Sequence, residues 1–230
     1  MNIFALSKDP EESAIQMIDK HVIKMPTETC QMLHTNILYM QYVQEHSKEP
    51  QLKDLKAFHQ ATGSKLMKPA MLNHPSTIWA RQSIANFEWL YAHGSALCRE
   101  YTYRYDKEHG SHKRLHQCHD NKETVFAHQF PVSGLTPVTI AMDDQYRLDP
   151  IEFYNTARVQ YGIEYDEWDF VIESYRHYYL EGKWRFATWE KDTRPDWFPA
   201  NHCAKKYNVG IRAYNAKKPK YPLTLMEEAL

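Results

Sequence analysis

The apolar pattern of one stretch near the N-terminus constrains the fold of this chain more than any other feature. Between residues 9 and 40, apolar side chains recur every three or four positions, the period of a helix with one buried face. They are Ile15, Ile18, Val22, Met25, Met32, Leu33, Ile37 and Met40. Pro26 lies inside this run and lacks a backbone donor, so we expect it to kink or restart the helix. A restart would place Thr27 and Glu28 in a first turn, where the helix dipole favours a carboxylate.

A second row of side chains follows the same stretch, one residue earlier at each turn, and comprises His21, Lys24, Glu28 and Gln31. It lies about 100° around the helix from the apolar face, at the margin of the core. Packing fixes such a margin while a ligand can still reach it. His21 and Glu28 are two turns apart, with Asp19 nearby, and an imidazole beside a carboxylate can act as an acid and base pair. The alternative is a solvated face stabilised by pairing between Lys24 and Glu28.

Composition favours a helical fold. A chain of 230 residues can bury one sizeable core, and seven glycines, against a usual share of about 7%, favour long helices. We therefore predict a mainly α fold, a single-domain helical bundle over residues 1–230 with long irregular loops. A second long helix should run from Pro75 to about Tyr105, and another from Pro150 to Gly162. Residues 123 to 148 lack a helical period and predict a loop that covers or contacts a substrate.

Cysteine usage and hydropathy indicate the compartment. The four cysteines are scattered and form no C-x-x-C pair, so we expect a reducing cytoplasm, that of the host if the protein is viral. No apolar run approaches the roughly 18 residues that would span a bilayer, so we expect no membrane association.

Positive charge is concentrated in the last quarter of the chain. The net charge is −1, yet the segment from Arg176 to Pro222 holds eleven Lys and Arg against four acidic residues. A basic C-terminal segment, residues 176–230, suits a polyanion such as nucleic acid. Its first part interleaves cations with aromatic rings, a pattern that binds phosphates and flipped or single-stranded bases. The candidate contacts are Arg176, Tyr178, Tyr179, Lys183, Trp184 and Arg185, the alternative being that the rings anchor the core.

Histidines and cysteines could in principle form a metal site. His112 and His116 lie four residues apart, and His116 and Cys118 could be joined by the distant pair His202 and Cys203. Because no known zinc signature has this spacing, we predict no metal and no cofactor.

Two parts of the chain resemble a known family. The run Asp19-Lys20-His21-Val22-Ile23 with Glu28 resembles the opening helix of the pyrimidine-dimer DNA glycosylases of the phage endonuclease V type. Tyr175-Arg176-His177-Tyr178-Tyr179 and Gly182-Lys183 resemble that family's aromatic, basic tail. The opening MNIF followed by DKH, K and E is also similar to the start of a set of tailed-phage proteins.

The resemblance implies a DNA repair enzyme that acts as a glycosylase, a hydrolase-like activity, and as a lyase. In that family an N-terminal amine attacks the sugar C1′ of a damaged nucleotide and forms a Schiff base. A free α-amine has a pKa near 7.7 to 8.0 against about 10.4 for lysine, so more of it is nucleophilic at neutral pH. The resemblance makes Met1, Glu28, His21 and Asp19 the candidate catalytic residues, with Glu28 stabilising the cationic sugar and moving protons. DNA is the expected partner.

The chain also departs from the family pattern. The two arginines of the family fall at Thr27 and Gln31 here, which with Asn2 and Lys24 are the candidate substrate contacts near the amine. The family exposes a threonine amine by removing methionine. Here residue 2 is asparagine, usually too large for that removal, so the amine would be that of Met1. Two other functions stay open: an enzyme that alters a pyrimidine without cutting DNA, and a non-enzymatic protein that binds nucleic acid or a host protein.

Overall fold

The computed structural model describes residues 1–203, and within that range the chain is helical with no β-strand. This confirms the predicted mainly α fold. The helices are α1 (Pro10–Ile15), α2 (Asp19–His46), α3 (Leu52–Ala61), α4 (Pro75–Ala80), α5 (Ile84–Tyr105), α6 (His112–Asp120), α7 (Lys122–Ala127), α8 (Pro150–Thr156) and α9 (Glu167–Tyr178). Short 3-10 or π turns lie at Asp144–Tyr146, Ala157–Tyr161, Tyr179–Lys183, Trp184–Phe186 and Glu190–Asp192.

Much of the basic tail lies outside this range. Most of its lysines fall within residues 204–230, so a single domain over residues 1–230 stays a prediction. Among the helices of residues 1–203, none has the length and apolar character needed to cross a membrane.

The 28-residue helix α2 passes through the centre of the core. It continues through Pro26, so the predicted restart is wrong, and Glu28 lies in mid-helix. A proline inside a helix costs about 3 kcal/mol or more. Burial of the side chains around it offsets this cost, since each large apolar side chain contributes about 1.5–3 kcal/mol. Seven of the eight predicted core positions are buried; the exception is Ile15, which ends α1 and is 47% exposed.

The second predicted long helix is divided into α4 and α5. The chain breaks at Arg81 and restarts after Ser83, whose hydroxyl accepts a hydrogen bond from the Asn86 amide at 3.0 Å. A serine that caps a helix in this way favours a new start over a continuous helix. α5 packs against both α1 and α2. The predicted start of α8 is confirmed, because Asp149 accepts a capping hydrogen bond from the Glu152 amide at 2.9 Å.

A buried guanidinium joins the link between α1 and α2 to α5. Arg104 donates to the Ile15 carbonyl at 2.8 Å, the Met17 carbonyl at 2.8 Å and Asp19 Oδ1 at 2.9 Å. Its Nε donates to Glu100 Oε1 at 2.7 Å. Because α2 begins at Asp19, these contacts hold the start of that helix in place.

Replacing Arg104 with methionine should lower the free energy of unfolding by about 3–5 kcal/mol. The change leaves the carboxylates of Asp19 and Glu100 buried without a cation. Arg99→Met on the same helix is the matched control, since Arg99 pairs with Glu11 at an exposed site and such pairs contribute about 1 kcal/mol or less. Urea unfolding followed by circular dichroism measures both variants. Equal losses would contradict the anchoring role of Arg104.

Candidate active site

A cavity of about 650 Å³ lies between the N-terminal residues, the first half of α2 and the loop at residues 140–147. The predicted site residues that line it are Met1, Asn2, His21, Lys24, Glu28, Tyr178 and Lys183. A larger cavity, of about 850 Å³, lies farther along α2 around Tyr39, Arg81 and His128 and contains none of the predicted site residues. The structure therefore brings half of the candidate residues to one place.

Glu28 contacts the start of the chain. Its Oε2 lies 3.8 Å from the Met1 amine and accepts a hydrogen bond from the Asn2 amide at 3.1 Å. Its Oε1 lies 2.9 Å from Lys24 Nζ. The Met1 side chain is mostly buried, and its sulfur accepts a hydrogen bond from the Thr77 hydroxyl at 3.9 Å. A carboxylate held this close to an amine can take a proton from it and stabilise a cation that forms beside it.

Asn2 connects the N-terminus to the rest of the cavity wall. Its Oδ1 accepts from the Tyr175 hydroxyl at 2.7 Å and from the Ile3 amide at 2.7 Å, while its Nδ2 donates to the Ala141 carbonyl at 2.6 Å. Burial raises the pKa of Tyr175, so the hydroxyl keeps its proton. Asn2 is buried, and in this structure its side chain bonds to protein groups that position the amine.

Phe4 turns the N-terminal segment toward α2. It has φ +56°, a left-handed conformation that bulky residues rarely adopt. Its ring stacks on His21, with centroids 4.1 Å apart. A backbone outlier of this kind beside a candidate site is consistent with a conformation retained for function.

His21 is a neutral part of the cavity wall. Burial, followed by the charges of Lys183 and Lys24, lowers its pKa to about 3. Its Nδ1 lies 2.6 Å from the Tyr179 hydroxyl. A pKa this low leaves the imidazole without an extra proton at neutral pH, and its predicted role as an acid or base with Glu28 stays a prediction.

Three other candidates on α2 lie outside the cavity. Asp19 Oδ1 accepts from Arg104 and from the Glu190 amide at 2.9 Å. Thr27 Oγ1 lies 3.1 Å from the Ser111 hydroxyl, and Gln31 donates to the Lys68 carbonyl at 2.5 Å. The positions where the family carries arginines therefore contact protein groups in this chain. The catalytic or binding roles of these residues stay predictions.

Of the six aromatic and basic candidates between residues 176 and 185, some line the cavity and others are buried in the core. Tyr178 and Lys183 line the cavity, with Lys183 Nζ 4.4 Å from the centre of the Tyr178 ring. Tyr179 and Trp184 are buried, as the alternative interpretation expects. The other two residues lie outside the cavity: Arg176 donates to the Leu6 carbonyl at 3.1 Å, and Arg185 lies over the Trp184 ring at 4.9 Å. Their predicted DNA contacts stay predictions.

The histidine and cysteine residues are not assembled into a metal site. Within the described part of the chain, no group of three or more His, Cys, Asp or Glu side chains could hold a metal ion. His202 contacts the Leu180 carbonyl at 2.8 Å, and Cys203 donates to the Trp184 carbonyl at 3.2 Å.

Several cavity residues were not identified from the sequence. His74, Asp143, Asp144 and Arg147 all line the cavity. His74 directly precedes the helix start predicted at Pro75, and the other three belong to a segment predicted as a covering loop without individual roles. The location of that loop against the cavity is consistent with the prediction, but no local pattern identifies which of its residues face inward.

Replacing Tyr175 with phenylalanine should cost about 1–3 kcal/mol of unfolding free energy, because the buried Asn2 side chain loses a donor and the Ala141 amide loses an acceptor. Hydrogen exchange at the Ile3 and Ala141 amides should also become faster. Tyr178→Phe is the control, since the Tyr178 hydroxyl makes no hydrogen bond within residues 1–203. Unchanged exchange in Tyr175→Phe would show that this contact does not hold the N-terminus.

The low pKa of His21 predicts a pH dependence of stability. The unfolded imidazole binds a proton below about pH 6.5, whereas the folded one does so only near pH 3. Protonation of His21 therefore leaves the free energy of unfolding unchanged above pH 6.5 and lowers it progressively as the pH falls from 6.5 toward 3. The slope approaches about 1.4 kcal/mol per pH unit. His21→Gln should remove this part of the slope between pH 6 and 5, measured by urea unfolding at each pH. Parallel slopes for the variant and the original chain would contradict the neutral state of His21.

Comparison with known proteins agrees with the resemblance seen in the sequence. The family model described as pyrimidine dimer DNA glycosylase matches residues 1–113, which include the N-terminal amine, Glu28 and His74. Searches of curated proteins and of solved structures gave no significant match. The matched region contains α1 to α5, the helices that carry the amine–carboxylate pair. Residues 1–113 of this chain are therefore similar to the pyrimidine dimer DNA glycosylase family.

Proposed function

We propose that this chain is a DNA glycosylase with lyase activity that acts on a damaged or modified pyrimidine through the Met1 amine and Glu28. The family match supports a DNA-acting, glycosylase-like role. The observation that carries the specific proposal is the 3.8 Å distance between the Met1 amine and Glu28 Oε2 inside an open cavity.

The chemistry follows from this pair. The unprotonated amine attacks the sugar C1′, and the bond from C1′ to the base breaks with its electron pair on the base. The bond from C1′ to O4′ then opens, O4′ takes the second amine proton, and a Schiff base forms. Glu28 accepts the amine proton and stabilises the cationic sugar. The Schiff base makes the neighbouring C2′ proton acidic, so loss of that proton can expel the 3′ phosphate and cut the strand.

Positive side chains at the cavity suit the phosphates of DNA. Lys24, Arg147 and Lys183 line it, and the Tyr178 ring lies on the same wall in contact with Lys183 and Tyr146. Arg147 and Lys183 lie outside the family-matched residues. We propose that they take over part of the phosphate binding that the family's arginines would provide at Thr27 and Gln31.

The amine can be identified by trapping. Incubation with DNA containing an abasic site and borohydride should give a stable protein–DNA adduct, and peptide mass spectrometry should locate it on Met1. Glu28→Gln should lower the rate of adduct formation by about 10²–10⁴-fold, as expected for loss of an acid–base group. Extending or acetylating the N-terminus should abolish the adduct.

Two lysines provide matched controls because they also place an amine at the cavity. Lys24→Arg and Lys183→Arg keep the positive charge but remove a nucleophilic amine, and both should still form the adduct. An adduct that disappears in either variant and persists after N-terminal acetylation would assign the chemistry to lysine. Mass spectrometry of nucleosides from treated DNA distinguishes strand cleavage from base modification without cleavage.

A further inference from the structure

One ring nitrogen of His74 accepts a hydrogen bond from the backbone, and the other makes no hydrogen bond within residues 1–203. His74 precedes α4, and its Nδ1 accepts a hydrogen bond from the Ser76 amide at 3.2 Å. A nitrogen that accepts carries no proton, so the neutral ring has its proton on Nε2. No partner for Nε2 is present in the described part of the chain. The half-buried ring lines the same cavity as Met1 and Glu28.

The charge state of His74 agrees with this tautomer. Burial and the positive N-terminus lower its pKa, and Glu28 opposes them with a smaller effect. The imidazole is therefore neutral at pH 7 and presents an N–H donor. The charges of the Met1 amine and of Glu28 both act on the pKa of His74, so the three groups share one electrostatic environment.

The proposed reaction needs a donor for the departing base, and the cavity cations Arg147 and Lys183 are assigned above to the phosphates. When the glycosidic bond breaks, negative charge develops on the pyrimidine ring and its O2 atom. The Tyr175 hydroxyl is bonded to Asn2, and the Lys24 ammonium is paired with Glu28. A neutral donor held in place by a backbone hydrogen bond is preorganised for such a charge.

We propose that His74 is a further catalytic residue whose Nε2–H donates a hydrogen bond to the departing pyrimidine and stabilises its negative charge. This inference rests on the proposed function. The Met1 nitrogen bonds to C1′, the bond from C1′ to the ring nitrogen breaks with its electron pair on the ring, and the amine proton reaches that nitrogen through Glu28. His74 keeps its proton throughout.

Two DNA probes separate this role from a structural one. The first is a duplex with one cyclobutane thymine dimer, in which a glycosidic bond must break; the second carries an abasic site, which has no glycosidic bond to a base. His74→Asn retains a strong helix cap but lacks the ring donor. The single-turnover rate of glycosidic bond cleavage at the dimer should fall by about 10- to 100-fold. Borohydride trapping on the abasic duplex should change less than about threefold.

His74→Ser serves as a second variant, since serine also caps helices, adds no charge beside the amine and has no ring donor, and it should behave in the same way. Thermal unfolding of both variants checks that α4 is retained. Equal losses on the two probes, or no loss on the dimer, would overturn the assignment. If the original chain forms no adduct with abasic DNA, the proposed function itself fails, so the two failures can be told apart.

Discussion

The hydrogen bonds of Arg104 set the geometry on which the candidate site depends. This guanidinium contacts two carbonyls in the link between α1 and α2 and two buried carboxylates. Burying charge is costly unless it is paired and hydrogen-bonded, and here four of the five guanidinium N–H groups have partners, while Asp19 Oδ2 has none within residues 1–203. Because α2 starts at Asp19, this anchor determines where its first three turns point. His21, Lys24 and Glu28 lie on those turns.

Residues 1–4 form one wall of the candidate site and are held there by specific contacts. Terminal residues are often poorly ordered unless other groups hold them. Here Asn2 bonds to Tyr175 and Ala141, Phe4 stacks on His21, and Glu28 accepts the Asn2 amide. Each contact restricts the position of the Met1 amine, and the proposed role of that amine as a nucleophile requires such preorganisation.

The family-matched residues and the rest of the chain contribute different parts of the cavity. Residues 1–113 provide the amine, Glu28 and His74, whereas the loop at residues 140–147, Tyr178 and Lys183 complete the wall. In this chain Thr27 and Gln31 bond to other helices and loops. The amine–carboxylate pair and Lys24 therefore lie within the family-matched residues, whereas Arg147, Tyr178 and Lys183 come from a different segment of the chain.

The sequence by itself determined the mainly α fold and the buried face of α2, because a helical period is a local signal that one residue carries to the next turn. It also indicated that His21, Lys24 and Glu28 share the margin of that face. The sequence pattern did not indicate the break between α1 and α2, and it wrongly predicted a break at Pro26. The helix continues through Pro26 because burial of the surrounding side chains outweighs the low helix propensity of proline. Only the tertiary structure decided that Asp19 pairs with Arg104 and that Asn2 meets Tyr175, 173 residues away. It alone brought His74 and Arg147 to the cavity, because contacts across such separations leave no repeating pattern in the chain.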